Sequence, residues 1–398
     1  MKNKVALAYS GGLDTSVAVK WLQIKYGYDV ITVTVDVGQG DDFKEIEEKS
    51  KAIGAIKHFY FDAREEFATD YVVPCIKANG LYEGKYPLAT ALARPLIAAK
   101  TVEVAKQEDA NALAHGCTGK GNDQIRFDIT MKSLLPSLSI VAPIRDMNLL
   151  RDEEIKFAKE QNIPVSMEAK KYSIDQNLWG RAIEGGVIEH ADAEPPEDAF
   201  LWVNTKNLPD NAGYMDIEFD NGAPVGIDGK SMNIVDLLQY ANEKAGTYGV
   251  GIIDHIEDRV VGIKSREVYE APAATCIIEA HKDLEKLTLT KHEIRFKQIV
   301  DEQWAWLTYS GLWLDPLKID LDKFIDATQV RVCGKVKVKM YKGSLRIVGR
   351  ESKYSLYEPK LATYSAGSTF DQSLAKGFVE LWGLQSIIAN EVIRRAGE

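Results

Sequence analysis

An apolar run, Val5-Ala6-Leu7-Ala8, passes through Tyr9-Ser10-Gly11-Gly12 straight into Leu13-Asp14-Thr15-Ser16, where a helical pattern opens. Lys4 to Tyr9 read as a buried parallel strand, so the serine- and glycine-rich turn falls at the carboxyl end of that strand. Gly11 and Gly12 let the backbone approach a ligand, and Ser16 and the turn's amides can donate to phosphate oxygens. The following helix aims its positive end at the same point. The segment reads as a phosphate trap. It is not a Walker A loop, which needs four residues between its first glycine and Gly-Lys-Ser/Thr, and it is not Gly-x-Gly-x-x-Gly.

Ser10, Asp14 and Ser16, ordered around Gly11-Gly12, resemble the PP-loop, Ser-Gly-Gly-x-Asp-x-Ser, of enzymes that split ATP between its α and β phosphates. The chain beyond supports a doubly wound parallel α/β sheet. Leu13, Val17, Trp21 and Ile24 have helical spacing with a stop at Gly27, and Val30 to Val35 is a β-branched strand. A charged helix follows from Asp42 to Ile53, ended by Gly54, then a strand from Ile56 to Phe61. Leu88 to Gln107 is a long helix containing Arg94-Pro95, and Asn111 to His115 is a strand. Asp152 to Gln161 is helical, and Ile163-Pro164-Val165 finishes the unit. A second domain of α+β character begins near residue 170. Its Glu194-Pro195-Pro196-Glu197-Asp198 stretch reads as a solvated surface loop, and Gln329 to Ile347 as a hairpin turning at Lys342-Gly343. Thr369 to Arg395 reads as a helical arm whose apolar surface suits packing on another subunit.

Lys and Arg number 49 against 59 Asp and Glu, a formal charge of −10. That balance offers no general attraction for nucleic acid and favours small substrates. With Met1-Lys2-Asn3 leading directly into the first strand and no membrane-length apolar stretch, the expectation is a soluble cytoplasmic protein. Cys75, Cys117, Cys276 and Cys333 form no Cys-x-x-Cys pair, and the six histidines form no ligand pair, so no protein-held metal is expected.

A second glycine-rich segment, His115-Gly116-Cys117-Thr118-Gly119-Lys120-Gly121-Asn122-Asp123-Gln124-Ile125-Arg126-Phe127, also follows a strand. It should therefore face the first loop across the same sheet edge, with Thr118, Asn122, Asp123 and Arg126 suited to a zwitterionic ligand.

Here the sequence resembles the argininosuccinate synthase family. The motifs are Ala8 to Ser16, Leu92-Ala93-Arg94-Pro95, His115-Gly116 with Thr118 to Gln124 and Arg126-Phe127, Lys264-Ser265-Arg266 with Tyr269-Glu270, and Gly349-Arg350-Glu351-Ser352. The resemblance implies an ATP-dependent ligase joining citrulline to aspartate through a citrullyl-adenylate, with release of AMP and pyrophosphate. It implies Mg2+ carried by the nucleotide phosphates and a homotetramer. It also implies a PP-loop domain over 1–168, a synthetase domain over 169–363 and an arm over 364–398.

By motif, the ATP positions are Ala8, Tyr9, Ser10, Gly11, Gly12, Leu13, Asp14, Thr15, Ser16, Val35 near the adenine, and Gly116. The citrulline positions are Tyr86, Asn122, Arg126, Ser173, Glu257 and Tyr269, and the aspartate positions are Thr118, Asn122 and Asp123. Asp123 is the candidate for a direct catalytic contribution, or else for orienting the aspartate amine. Two serines usual in the family are Ala91 and Ala182 here, and Thr90 is the neighbour able to replace a lost hydroxyl. The rivals are another PP-loop adenylating enzyme, such as a tRNA thiolase or an amide-forming synthetase, and a silent ATP-binding scaffold.

Overall fold

The computed structural model describes residues 3–149, 151–164 and 171–397. Val165 and the expected boundary at 168 lie outside them. Residues up to 354 form one compact unit and residues 355–398 a second.

The first unit opens with a five-stranded parallel sheet in the order β3-β2-β1-β4-β5, where β1 is Lys4–Ala8, β2 Asp29–Asp36, β3 Lys57–Asp62, β4 Ala112–Ala114 and β5 Ser139–Val141. The chain winds outward from β1 to β3 and then returns to the other side of β1. The strand order therefore reverses between β1 and β4, and that is where open α/β sheets bind ligands. The helices end as their residues dictate. Gly27 and Gly54 close Leu13–Tyr26 and Phe43–Ile53 in the left-handed conformation that glycine tolerates, and Asp42 caps the second helix by accepting from Lys44 and Glu45 amides. Ile56 is half exposed and stays outside β3.

Two antiparallel sheets follow. One runs β11-β12-β7-β6, from β6 (Ser173–Asn177), β7 (Gly180–Glu184), β11 (Ile252–Asp258) and β12 (Lys264–Glu270). The other runs β10-β9-β8-β13-β14, from β8 (Gly213–Asp220), β9 (Ala223–Ile227), β10 (Lys230–Ser231), β13 (Gly334–Tyr341) and β14 (Ser344–Glu351). The β13–β14 hairpin turns at Lys342-Gly343, both at positive φ (45° and 81°), the backbone that a two-residue hairpin requires. It starts later than the alternation suggested. Gln329 instead ends the helix Pro316–Gln329, with its buried amide between His281 Nε2 and Glu285 Oε1, each at 2.7 Å.

Glu270 is fully buried at the end of β12, where it pairs with Arg181 Nη1 at 2.5 Å and accepts from the amides of Leu201, Trp202 and Val203. A buried carboxylate satisfied four times over anchors the strand that carries Tyr269.

The 194–198 stretch is a surface loop tied by Lys171 and Tyr172 to Asp198, with a 3-10 turn at Glu197–Ala199. All four cysteines are free; Cys75 and Cys276 are buried, while Cys117 and Cys333 are only partly so. No helix among the described residues is long and apolar enough to cross a membrane.

In the second unit a short helix at Pro359–Ala362 comes first, and the one helix expected over Thr369 to Arg395 is two, Leu374–Trp382 and Leu384–Gly397. They part at Gly383, a residue that weakens a helix interior by about 1 kcal/mol. Leu374, Phe378, Leu381 and Trp382 are all more than half exposed.

Candidate functional site

Tyr9 still bonds to the sheet as the chain leaves β1: its amide donates to Val33 O at 2.8 Å and its carbonyl accepts from Thr34 Oγ1 at 2.7 Å. Gly11 then takes φ +75°, and a Cβ there would lie 2.9 Å from Ile46 Cγ1. The helix begins after Gly12 with no side-chain cap, and its first backbone bond is Ser16 N to Gly12 O at 3.0 Å. The amides of Leu13, Asp14 and Thr15 precede that bond and are available to an anion. Ser10 Oγ, exposed beside them, sits 3.1 Å from Thr15 Oγ1. Ser16 departs from the expectation that it donates to phosphate. Its side chain is fully buried with Oγ 3.2 Å from Tyr9 Oη, so it braces the strand end. Val35 is packed in the core, and its carbonyl accepts from Gln39 Nε2 at 3.0 Å.

The second loop meets the first. A Cβ on Gly116 would stand 2.9 Å from Thr15 Cγ2 and 3.1 Å from Thr15 N, so the two loops touch where the strand order reverses. His115, buried behind this contact, accepts from Cys117 N at Nδ1 (3.2 Å), which leaves the proton on Nε2 to donate to Asp128 Oδ1 at 2.8 Å. Thr118 is exposed on the loop. Asn122 occupies the N-cap position of the helix Asp123–Leu134 without capping it. Its side chain spans the cleft instead, donating to Tyr309 Oη at 2.8 Å and accepting from Val260 N at 3.0 Å.

The β11-β12-β7-β6 sheet supplies the opposite wall. Ala182 stands across from Asp175 on β6 and from Tyr269 on β12, and Glu184 stands across from Ser173. The two-residue alternation places Glu267 beside Tyr269 and, through the pairing of Glu257 with Ser265, brings Glu257 to the same face. Glu257 is buried and accepts from Tyr309 Oη (2.9 Å) and Tyr269 Oη (3.0 Å). Tyr86 stacks on Tyr269 with centroids 4.4 Å apart and bonds Thr90 Oγ1 at 2.7 Å. Leu88 between them has φ 65°, a strained conformation for a leucine. It is held by Trp179 Nε1 on Pro87 O and Asn177 Nδ2 on Ala89 O, both at 2.8 Å.

Arg126 joins the walls. It donates to Tyr309 O from Nε (3.1 Å) and Nη2 (3.0 Å), and from Nη1 to Asp123 Oδ1 (2.9 Å) and Thr90 Oγ1 (3.3 Å). Asp123 Oδ2 accepts from Arg94 Nε at 2.8 Å, and Arg94 also pairs with Asp175. Burial alone would raise the Asp123 carboxyl, but the two guanidiniums outweigh it and hold its pKa below the ordinary carboxylate value. Asp175 goes the other way, raised by burial and by Asp123 against the pull of Arg94. Glu267 is pushed up to about 8 by burial and by Glu257 and Glu184, with Arg259 opposing. Burial and the Glu267 and Glu257 carboxylates raise the Tyr269 phenol, which stays a donor.

Among the described residues no group of three or more His, Cys, Asp and Glu side chains is placed to hold a metal. A cavity of about 1060 Å³ lined by Asn79, Tyr82, Lys297, Asp301 and Trp306 includes none of the residues of the two loops.

Residues 4–164 match the family model described as the arginosuccinate synthase N-terminal HUP domain, and residues 172–389 match the arginosuccinate synthase C-terminal domain. The chain belongs to the argininosuccinate synthase family. It is similar to the argininosuccinate synthase of Pyrococcus furiosus, 58% identical over 391 residues that span 98% of this chain and 95% of the relative. The Pyrobaculum aerophilum synthase is 55% identical (97% and 98%) and that of Methanocaldococcus jannaschii 53% (98% and 98%). As a member, the chain is an ATP-using ligase that forms a C–N bond.

Within this synthase architecture, Tyr86, Thr90, Asn122, Asp123, Arg126, Glu257 and Tyr269 form one bonded cluster. Ser173 is exposed at the start of β6 and has no side-chain bond among the described residues. The sequence reading gave no site role to Arg94, Asp175, Glu267 or Tyr309. Arg94 was visible in its Leu-Ala-Arg-Pro motif. Tyr309 had no local signal beyond closing a helix, and only the close approach of Gly311 to the Arg126 backbone brings it in.

Proposed function

We propose that this chain makes argininosuccinate from L-citrulline and L-aspartate through a citrullyl-adenylate, in the cleft between the two loops and the Glu257 wall. The observation that carries the reading is the run of bonds from Asp123 through Arg126 and Tyr309 to Glu257, which ties the phosphate side of the cleft to an acidic pocket. ATP lies with its phosphates on the Leu13 to Thr15 amides and Ser10, its adenine toward Val35, and Gly116 beside it. Mg2+ would be held by the nucleotide phosphates, since Asp14 is the one carboxylate of the loop and no cluster of acidic ligands surrounds it among the described residues; it would neutralise charge on the departing pyrophosphate.

Citrulline takes Tyr86, Thr90, Asn122, Arg126, Ser173, Glu257 and Tyr269, with the α-ammonium at Glu257 and the α-carboxylate at Arg126. Its ureido oxygen bonds to the α phosphorus as the bond to the β-phosphate oxygen breaks. Aspartate lies at Thr118, Asn122 and Asp123. Its amine then bonds to the ureido carbon, and the carbon–oxygen bond breaks to release AMP and a proton. Asp123, held ionised by two arginines, is a weak base, so it orients the amine while positioning supplies the rate. The missing hydroxyls at Ala91 and Ala182 weaken citrulline binding by about 0.5–1.5 kcal/mol each, partly replaced by Thr90.

Release of AMP and pyrophosphate from Mg-ATP by the purified protein should require both amino acids. Sustained release with either one omitted would contradict the reading. We place the enzyme in the cytoplasm as a homotetramer, on the exposed apolar run of residues 374–393; a monomer mass by light scattering would overturn the assembly.

A further inference from the structure

We propose that Glu154 is a positioning residue of the phosphate loop, sharing one proton with Asp14 so that the first turn of the helix Leu13–Tyr26 presents a single negative charge to ATP. The inference rests on ATP occupying that loop. Glu154 lies on the helix Arg151–Glu160, which packs against Leu13–Tyr26. Its residue is 3% exposed, and Oε2 is buried with no hydrogen-bond partner among the described residues. Asp14, on the helix packed against it, is the carboxylate whose charge acts on the buried Glu154 carboxyl. Asp14 Oδ1 in turn accepts from Arg151 Nη1 at 2.9 Å, one turn before Glu154 on the same helix. The charged groups that reach Glu154 are therefore Asp14 on one helix and Arg151 on the other.

Two carboxylates and one partly exposed guanidinium leave an uncompensated charge directly behind the amides that would hold a triphosphate. A buried carboxylate beside another avoids that state by keeping its proton. Burial first, then Asp14, push the Glu154 carboxyl up to about 8, against Arg151. The acid therefore donates to Asp14 at neutral pH and holds its carboxylate toward Arg151. Above pH 8 the proton leaves, the two carboxylates repel, and the turn carries an extra charge that opposes the polyphosphate.

The sign for stability follows. The folded pKa is raised above the ordinary glutamate value of 4.5, so the folded state binds the extra proton between about 4.5 and 8. Stability is lost as pH rises through that window and is level above it. A Glu154→Gln chain has no proton to lose.

The test is the KM for ATP between pH 7 and 9.5, with both amino acids saturating, in the native chain and in Glu154→Gln. The native KM should rise several-fold through pH 8 while that of the variant stays flat; parallel profiles would overturn the proposal. A second readout needs no nucleotide and so is independent of the assigned reaction. The melting temperature of Glu154→Gln minus that of the native chain should grow from pH 5 to 8 and then level, and a constant difference would overturn the shared proton. If the variant does not fold, carboxyl-13C NMR of glutamate-labelled protein that keeps Glu154 decides. Because Glu267 is also raised to about 8, the spectrum is taken in Glu267→Gln: a remaining glutamate that titrates near 8 and is displaced on adding ATP supports the proposal, and titration of every remaining glutamate below 6 overturns it.

Discussion

Replacing Asp123 by asparagine should lower kcat/KM for aspartate by about 10²–10³-fold. Asp123 lies between Arg94 Nε at 2.8 Å and Arg126 Nη1 at 2.9 Å, with Arg126 almost wholly buried. Removing one charge leaves Arg126 buried without compensation, which costs stability, while the rate falls because the aspartate amine and Arg126 lose their positioning, and displacements approaching 1 Å cost about 10²-fold. The asparagine oxygen keeps one of the two bonds, so the loss falls toward the lower end of the range expected. Arg94 retains Asp175, while Arg126 retains only neutral acceptors at Tyr309 and Thr90. The freed Arg126 should move, so citrulline KM rises as well. Steady-state kinetics with each amino acid varied, beside a melting curve to establish folding, reads both effects. A loss under fivefold would remove Asp123 from the site.

The second large effect is expected at Gly116→Ala. The added methyl would lie 2.9 Å from Thr15 Cγ2 and 3.1 and 3.2 Å from Thr15 N and Cα. The last two are backbone atoms of the turn that would hold phosphate, and no rotamer change relieves them. The loops must part by several tenths of an ångström. Displacements approaching 1 Å cost about 10²-fold in rate, so KM for ATP should rise at least about tenfold, with kcat falling. Thr15→Ser in the same chain removes the closest contact and should restore part of the loss. Unchanged ATP kinetics in Gly116→Ala would mean that the two loops do not act together.

The first loop and its helix were legible because they are local: an apolar strand, two glycines, an uncapped helix start and a glycine stop, all within residues 4–27. The meeting of the two loops followed from strand order alone. What could not be read were partners set by the sheet register and by distant helix ends. Asp175 reaches Arg94 across 81 residues, and Tyr309 reaches Asn122 across 187. Neither carries a motif, because their chemistry is created by tertiary packing. The bond of Ser16 to Tyr9 is equally illegible: its type suits a phosphate contact, while helix phase turns it inward to Tyr9 in this structure. At Gln329 to Val332 the alternating apolar residues imitate a strand, whereas the buried bonds of Gln329 to His281 and Glu285 keep the segment at a helix end.

The most direct measurement follows the ureido oxygen. Citrulline carrying 18O at that atom is turned over with Mg-ATP and aspartate, and the AMP and pyrophosphate are analysed by mass spectrometry. Adenylation of the ureido oxygen places one 18O in AMP for each argininosuccinate formed and none in pyrophosphate. Unlabelled AMP formed together with argininosuccinate would contradict the citrullyl-adenylate.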